Sequence, residues 1–173
     1  MTAINDTPTN LNYLSPLNFK FLIKKAPNVN FFIQKVNIPK LTLKSVIIPN
    51  QSVPVPYPGD HLDYGTLDIT FKVDEKLQNY LEIHNWIRYL GKLDYNEYYN
   101  LEKNPTYTGD GIYSDINLSV LSNIKTINYD VVFIDAYPVE LSSVTFNTTD
   151  NDVNYLEASA SFKYTYYNIA QTV

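Results

Sequence analysis

At 173 residues the chain has room for one domain with a substantial core and is short for two. Sixteen Tyr and eight Phe against five Gly favour sheet over helix, and a net charge of −5 disfavours a groove built to neutralise nucleic-acid phosphates. The absence of cysteine excludes disulfides and thiolate metal sites. No run approaches the roughly 18 apolar residues a membrane helix needs.

Residues 1–15 are polar and aperiodic and read as a flexible N-terminal arm without the basic and apolar regions of a secretory signal. A single β domain is expected over residues 16–173. Phe19, Phe21 and Ile23 alternate with Lys20, Leu22 and Lys24, Ala26-Pro27-Asn28 makes a turn, and Asn30 to Val36 supplies a second strand, so the pattern predicts a hairpin. After a short strand from Thr42 to Ile48 come Pro49, Pro54, Pro56 and Pro58. Each proline removes a backbone donor, so this stretch is expected to be a projecting loop or an edge-following strand. Its residues Val53, Pro54, Pro56, Tyr57 and Pro58 are candidates for contact with a neighbouring subunit.

Leu67 to Val73 alternates apolar and polar residues as a half-buried strand does. Asp74 then reads as the cap of a helix over residues 74–90, with Leu77, Tyr80, Ile83, Trp86, Ile87 and Leu90 forming its packing stripe. Residues 92–111 are a Tyr-rich excursion with a partial helical turn near Tyr95–Leu101. Strands are expected at 116–121 and 129–136, then a tight Tyr137-Pro138 corner. A long strand follows over residues 154–168, in which Leu156, Ala158, Ala160 and Phe162 oppose Glu157, Ser159 and Ser161. The predicted fold is mainly β: an antiparallel barrel or sandwich of seven or eight strands with one flanking amphipathic helix.

No catalytic constellation accompanies these elements. His61 and His84 form no metal-ligand spacing, and Asp150-Asn151-Asp152 fails the calcium-loop pattern because Tyr155 and Ser161 stand where Gly and Glu belong. No glycine-rich phosphate loop or nucleophile elbow is present. The chain is read as non-enzymatic, with no cofactor and no metal. One alternative is a carbohydrate- or receptor-binding β-sandwich using Tyr95, Tyr98, Tyr99, Tyr107 and Tyr113 as a stacking platform.

The order of features points elsewhere. Pro27-Asn28-Val29-Asn30-Phe31 leads to Val36-Asn37-Ile38-Pro39, the Pro-rich loop, strand 67–73 and helix 74–90. The late run joins Ala136-Tyr137-Pro138-Val139, Asn147-Thr148-Thr149-Asp150-Asn151-Asp152 and Phe162-Lys163-Tyr164-Thr165-Tyr166-Tyr167. Over residues 15–170 this resembles the tail tube proteins of contractile-tailed bacteriophages and the related baseplate tube-initiator proteins.

The resemblance implies a subunit of stacked hexameric rings whose lumen conducts DNA, with a baseplate tube-initiator ring as the alternative. It implies self-association, with tail sheath, baseplate initiators, tail terminator and tape measure protein as partners. DNA would pass the lumen without sequence-specific binding, and no membrane would be involved. The implied location is the virion tail tube, assembled in the host cytoplasm. Residues 18–25, 30–36, 129–137 and 154–167 become candidates for the sheet shared between subunits. Glu157, Ser159 and Ser161 become candidates for the lumen, with Lys20 and Lys24 at subunit contacts or paired with carboxylates.

Overall fold

A computed structural model describes residues 13–92, 95–103, 111–148 and 155–171. In chain order the elements are β1 (Phe19–Ile23), α1 (Pro27–Phe32), β2 (Ile33–Val36), β3 (Leu41–Ile48), β4 (Val55–Tyr64), β5 (Leu67–Lys72), α2 (Gln78–Leu90), α3 (Tyr95–Lys103), β6 (Ser114–Leu121), β7 (Ile127–Leu141), β8 (Glu157–Lys163) and β9 (Tyr166–Gln171). The nine strands and three helices among the described residues confirm a mainly β fold.

Seven strands pair antiparallel in two layers that share β7. The first layer runs β1-β6-β7-β9 and the second β7-β8-β5-β2. One strand serves both layers because it bends. Up to Ala136 it pairs with β6, and from Tyr137 onward with β8. Asp135 stands at the bend with φ of 54°, a left-handed conformation that Asp tolerates better than most residues. The β6 register shifts between Ser114 and Ile116 opposite this point, which marks a bulge that re-aims the strand. The chain therefore turns at Asp135, and Tyr137-Pro138 continues the strand instead of forming a tight corner.

Apolar side chains from both layers meet between them. Ile116, Leu118, Val131 and Phe133 face Leu67, Ile69, Phe71, Ala158, Ala160 and Phe162, all buried. The period-two pattern of β5 and β8 accounts for this, since one alternate set enters the core while Asp68, Glu157 and Ser159 stay exposed.

Two strand expectations need correction. Residues 18–24 and 30–36 do not form a hairpin: α1 intervenes, β1 pairs with β6, and β2 pairs with β5. Proline at the first turn of α1 presets its helical φ. Asn30 then doubles as a strand partner, its side chain accepting from Ile23 N at 2.8 Å and donating to Ile23 O at 3.0 Å. The final strand is also broken. β8 ends at Lys163 and β9 begins at Tyr166, each in a different layer. Residues 150–154 lie outside the described residues.

The helix over 74–90 starts later than its sequence indicates. Residues 74–77 make a turn, and Leu77, with φ of 56°, precedes the first helical residue, Gln78. The fully buried Asn79 organises this entry. Its Oδ1 accepts from Asp74 N at 3.1 Å and Tyr80 N at 2.8 Å, and its Nδ2 donates to Lys72 O at 2.7 Å. Asn79→Ala is expected to cost about 2–4 kcal/mol, because three backbone groups, Asp74 N, Tyr80 N and Lys72 O, lose their partner. Asn79→Asp should not rescue it, since a carboxylate cannot donate to Lys72 O. Urea unfolding of the two variants checks this.

Candidate subunit interface

The prolines are placed in a hairpin. Strands β3 and β4 pair only with each other and form an arm standing off the two-layered body. Pro56 lies opposite Ile47, and Pro58 opposite Ser45. Successive strand residues direct their backbone groups to opposite edges, and a proline cannot occupy a donating position, so Pro56 and Pro58 both point away from β3, and Pro54 precedes the strand. Spacing by two thus permits continuous pairing on the inner edge while removing the donors from the outer edge. The register shifts where residues 59–61 of β4 bulge opposite Lys44, and Gly59 sits against that residue: a Cβ there would lie 2.4 Å from the Lys44 carbonyl oxygen.

The arm buries little against its own body. Ile47, Val53 and Tyr57 are 64%, 65% and 60% exposed, and Leu41, Leu43, Val46, Ile48, Val55 and Leu62 are about half exposed. From Ser45 to Pro58 there is no charged residue. The candidate contact residues Val53, Pro54, Pro56, Tyr57 and Pro58 all lie on this uncharged, exposed part. An apolar surface of this extent is characteristic of a protein contact.

The base of the arm is fixed by aromatic packing. The Tyr64 ring lies 5.5 Å from Tyr167 and 6.1 Å from Tyr164, and Phe133 lies 5.0 Å from Tyr164. Tyr167 Oη donates to Pro39 O at 3.4 Å. The buried Tyr164 hydroxyl has no hydrogen-bond partner, and burial, with neighbouring Tyr167 and Tyr64, pushes its phenol up to about 12. Tyr164→Phe is expected to be neutral or stabilising by up to about 1 kcal/mol near pH 7. In alkali the raised folded pKa gives the wild type stability that is present below the unfolded value of about 10 and lost as pH rises toward 12. Unfolding curves from pH 9 to 12 should therefore fall more steeply for the wild type than for the variant.

In the first layer the outer edges of β1 and β9 pair with no strand among the described residues. Beside β1 lies a groove of about 640 Å³ between it and α1–β2, with Leu17 and Phe31 each 85% exposed at its lip. The second layer is less open: α2 runs beside β7, and Tyr80 Oη donates to Ser142 O just beyond its end at 3.2 Å. Glu157, Ser159 and Ser161 project from the outer face of this second layer, where Ser161 Oγ donates to Asp68 Oδ1 at 2.7 Å. On the outer face of the first layer Lys20, Ser119 and Asp130 share one cross-strand row. Residues 18–25 and 129–137 are thus in one layer and most of 154–167 in the other.

The helix stripe faces inward. Ile83 and Trp86 are buried, Tyr80, Ile87 and Leu90 pack against the core, and Leu77 lies at the helix entry. The tyrosine platform is divided among other partners: Lys92 lies over Tyr98, Lys103 lies over Tyr99, and Tyr113 packs on Tyr137. Tyr95 is exposed on α3, and Tyr107 lies outside the described residues. Among the described residues no three metal-ligating side chains cluster, and no helix is long and apolar enough to cross a membrane.

The family model described as phage tail tube protein matches residues 5–170. The chain belongs to the phage tail tube protein family. Among individual relatives of this tail tube family member, the tail tube terminator protein of Enterobacteria phage T4 is 29% identical over 143 residues, covering 75% of this chain and 77% of that protein. The fold matches the tube-terminating cap of the anti-feeding prophage with a TM-score of 0.66 at 11% identity, covering 99% of this chain and 100% of that one. It also matches a chain of the sheath–tube complex of an extracellular contractile injection system, with a TM-score of 0.60 at 11% identity and the same coverage. The chain is a structural, non-catalytic member of this family.

Proposed function

We propose that this tail tube protein closes into hexameric rings that stack into a tube, with DNA passing through the lumen. The observation that carries ring closure is the first layer, β1-β6-β7-β9. Its four strands alternate in direction, so β9 of one copy meets β1 of the next antiparallel, like every pair inside the subunit. Repetition of this single head-to-tail contact yields a closed ring and leaves no open edge. The groove beside β1 supplies room for the incoming strand, and Phe19 and Phe21 present backbone groups there because Lys20 and Leu22 face β6.

In this arrangement the outer face of the first layer lines the lumen. Lys20 and Lys24 then share that wall with Asp115, Asn117, Ser119 and Asp130, a mixed surface without a continuous cationic track to retain phosphates. Glu157, Ser159 and Ser161 turn to the outside of the tube, where sheath subunits are the natural partners. The lumen assignment thus passes from β8 to β6 and β7, on the strength of which layer has open edges.

A second reading concerns the place of the ring along the tube. The T4 relative is a tube terminator, which favours a ring that closes the tube's end. The exposed apolar arm favours a repeating ring, in which a further copy covers that surface. Negative-stain electron microscopy across a concentration series separates them. Hollow tubes of uniform width support the repeating subunit. Single sixfold rings that join only the end of a preformed tail tube support the terminator. A monomer at every concentration, with no binding to tubes, overturns the ring reading.

A further inference from the structure

We infer that Asn30 is a register stop: its side chain ends the open edge of β1 and so fixes where the incoming strand of the next copy pairs. This rests on the ring-closure reading and names the residue that sets its geometry.

The edge is defined by backbone direction. Leu121 N donates to Asn18 O at 3.0 Å, so Asn18, Lys20 and Leu22 turn their backbone groups toward β6. Successive strand residues alternate, and Phe19, Phe21 and Ile23 therefore turn theirs outward. Both outward groups of Ile23 are already taken: its N–H donates to Asn30 Oδ1 at 2.8 Å, and its carbonyl accepts from Asn30 Nδ2 at 3.0 Å. Phe19 and Phe21 remain for an added strand. Asn30 itself is firmly seated. Its neighbour Val29 is buried, Pro27 starts α1, and Asn28 donates through N and Nδ2 to the Glu82 carboxylate at 3.1 and 2.7 Å.

The partner edge follows from the same alternation. Carried across β6 and β7, it turns the backbone of Tyr166, Asn168 and Ala170 toward β7 and leaves that of Tyr167, Ile169 and Gln171 outward on β9. Two antiparallel registers then satisfy both open residues of β1. In one, Phe21 meets Tyr167 and Phe19 meets Ile169 of the next copy. In the other, shifted by two residues or about 7 Å, Phe21 meets Ile169, Phe19 meets Gln171, and Tyr167 arrives opposite Ile23. There its backbone groups meet the Asn30 side chain in place of a strand edge and lose their partners. Unpaired backbone groups at a contact cost free energy, so the stop selects the first register.

The selected register also supplies the stagger that closing a sheet into a barrel requires. Within one copy, one cross-strand row joins Lys20, Ser119, Asp130 and Ala170, and the next on the same face joins Leu22, Asn117, Val132 and Asn168. With Phe21 opposite Tyr167, Lys20 lies opposite Asn168 of the next copy, so each copy steps the row by two residues. The shifted register puts Lys20 opposite Ala170 and steps the row by none, which leaves the strands without the tilt of a closed barrel.

The test uses the full chain, whose lack of cysteine makes introduced thiols unique. Lys20→Cys with Asn168→Cys marks the selected register, and Leu22→Cys with Asn168→Cys marks the shifted one; all three positions are exposed. Within a copy β1 and β9 lie three strand spacings apart, about 14 Å, so these disulfides form only between copies. After mild oxidation, the ladder of linked copies is expected to be about tenfold stronger for the first pair. Asn30→Ala frees Ile23 to pair with Tyr167 and should move the ladder to the second pair. A second-pair ladder that equals or exceeds the first in the protein with Asn30 intact overturns the stop, whether or not the alanine variant folds. An unchanged preference in a folded Asn30→Ala protein overturns it as well. Electron microscopy of the same samples separates the two levels. Sixfold rings with neither ladder overturn the stop and leave ring closure standing, and absence of rings and of both ladders overturns the ring reading too.

Discussion

Trp86→Ala is expected to lower unfolding stability by about 4–5 kcal/mol, a large part of the roughly 5–15 kcal/mol that holds such a domain folded. Trp86 is 2% exposed and sits where α2 meets the core. Its ring centroid lies 6.1 Å from that of Phe162, and the Lys25 ammonium lies 5.3 Å above it. The indole N–H donates to Ile112 O at 3.0 Å, and Lys25 Nζ donates to Gly111 O. One side chain thus ties α2, β8 and the entry to β6 together. Truncation opens a cavity among residues already fixed by two sheets and orphans the Ile112 carbonyl. Trp86→Phe keeps most of the apolar volume and loses only the donor and part of the ring, so about 1–2 kcal/mol is expected. Because this is the sole tryptophan, urea unfolding of both variants is followed by circular dichroism. A cost below about 1 kcal/mol for the alanine variant would mean that α2 is not held by this anchor.

Trp86 and the alternation of β5 and β8 were legible because burial and period are written in residue type at fixed spacing. The strand at 67–73 and the helical segment in 95–103 appear where the pattern places them. What the pattern concealed is pairing. Phe19 to Ile23 and Asn30 to Val36 look like a hairpin because periodicity does not reveal the partner. Asn30, a side chain hydrogen-bonding the backbone of Ile23, occupies the place a second strand would take. Residues 154–168 read as one strand because alternation continues through Tyr164. The change of layer between β8 and β9 shows in the aromatic contacts of Tyr164 and Tyr167, not in the order of apolar residues. Asp135 likewise carries no sequence signal as a bend, since a left-handed Asp has the same one-letter code as an extended one.

The candidate interface was legible in part for the same reason. Prolines at 54, 56 and 58 announced a segment unfit for a sheet interior. Their spacing of two also contained the hairpin, because it strips donors from only one edge. Polarity alone put the candidate lumen residues Glu157, Ser159 and Ser161 on β8, and both layers carry a polar outer face, so the lumen proposed above on β6 and β7 rests on a different feature. Only the distribution of free edges separates them.

Gly59→Val is expected to abolish arm-dependent assembly while leaving the body folded. Any Cβ at this position enters the space of the Lys44 carbonyl, with its oxygen 2.4 Å and its carbon 3.2 Å away. These are backbone atoms of the strand opposite the bulge and cannot rotate aside, so the two strands must separate or change register. A one-residue slip turns Val46, Ile48, Val55 and Tyr57 away from the face they share. The body should tolerate this because no residue of β3 or β4 belongs to the buried core. Its attachments lie at the base, through Tyr64, the Tyr167 bond to Pro39, and Gly65 N donating to Lys40 O at 3.0 Å. The expected result is an unfolding free energy from urea within about 0.5 kcal/mol of wild type, with stacking weakened by more than about tenfold in sedimentation. Val53→Ser, at an exposed tip position, should weaken stacking less because it leaves the register intact. If Gly59→Val unfolded the body together with the arm, the hairpin would be part of the folding unit, and its exposed apolar surface would no longer require a second copy as its explanation.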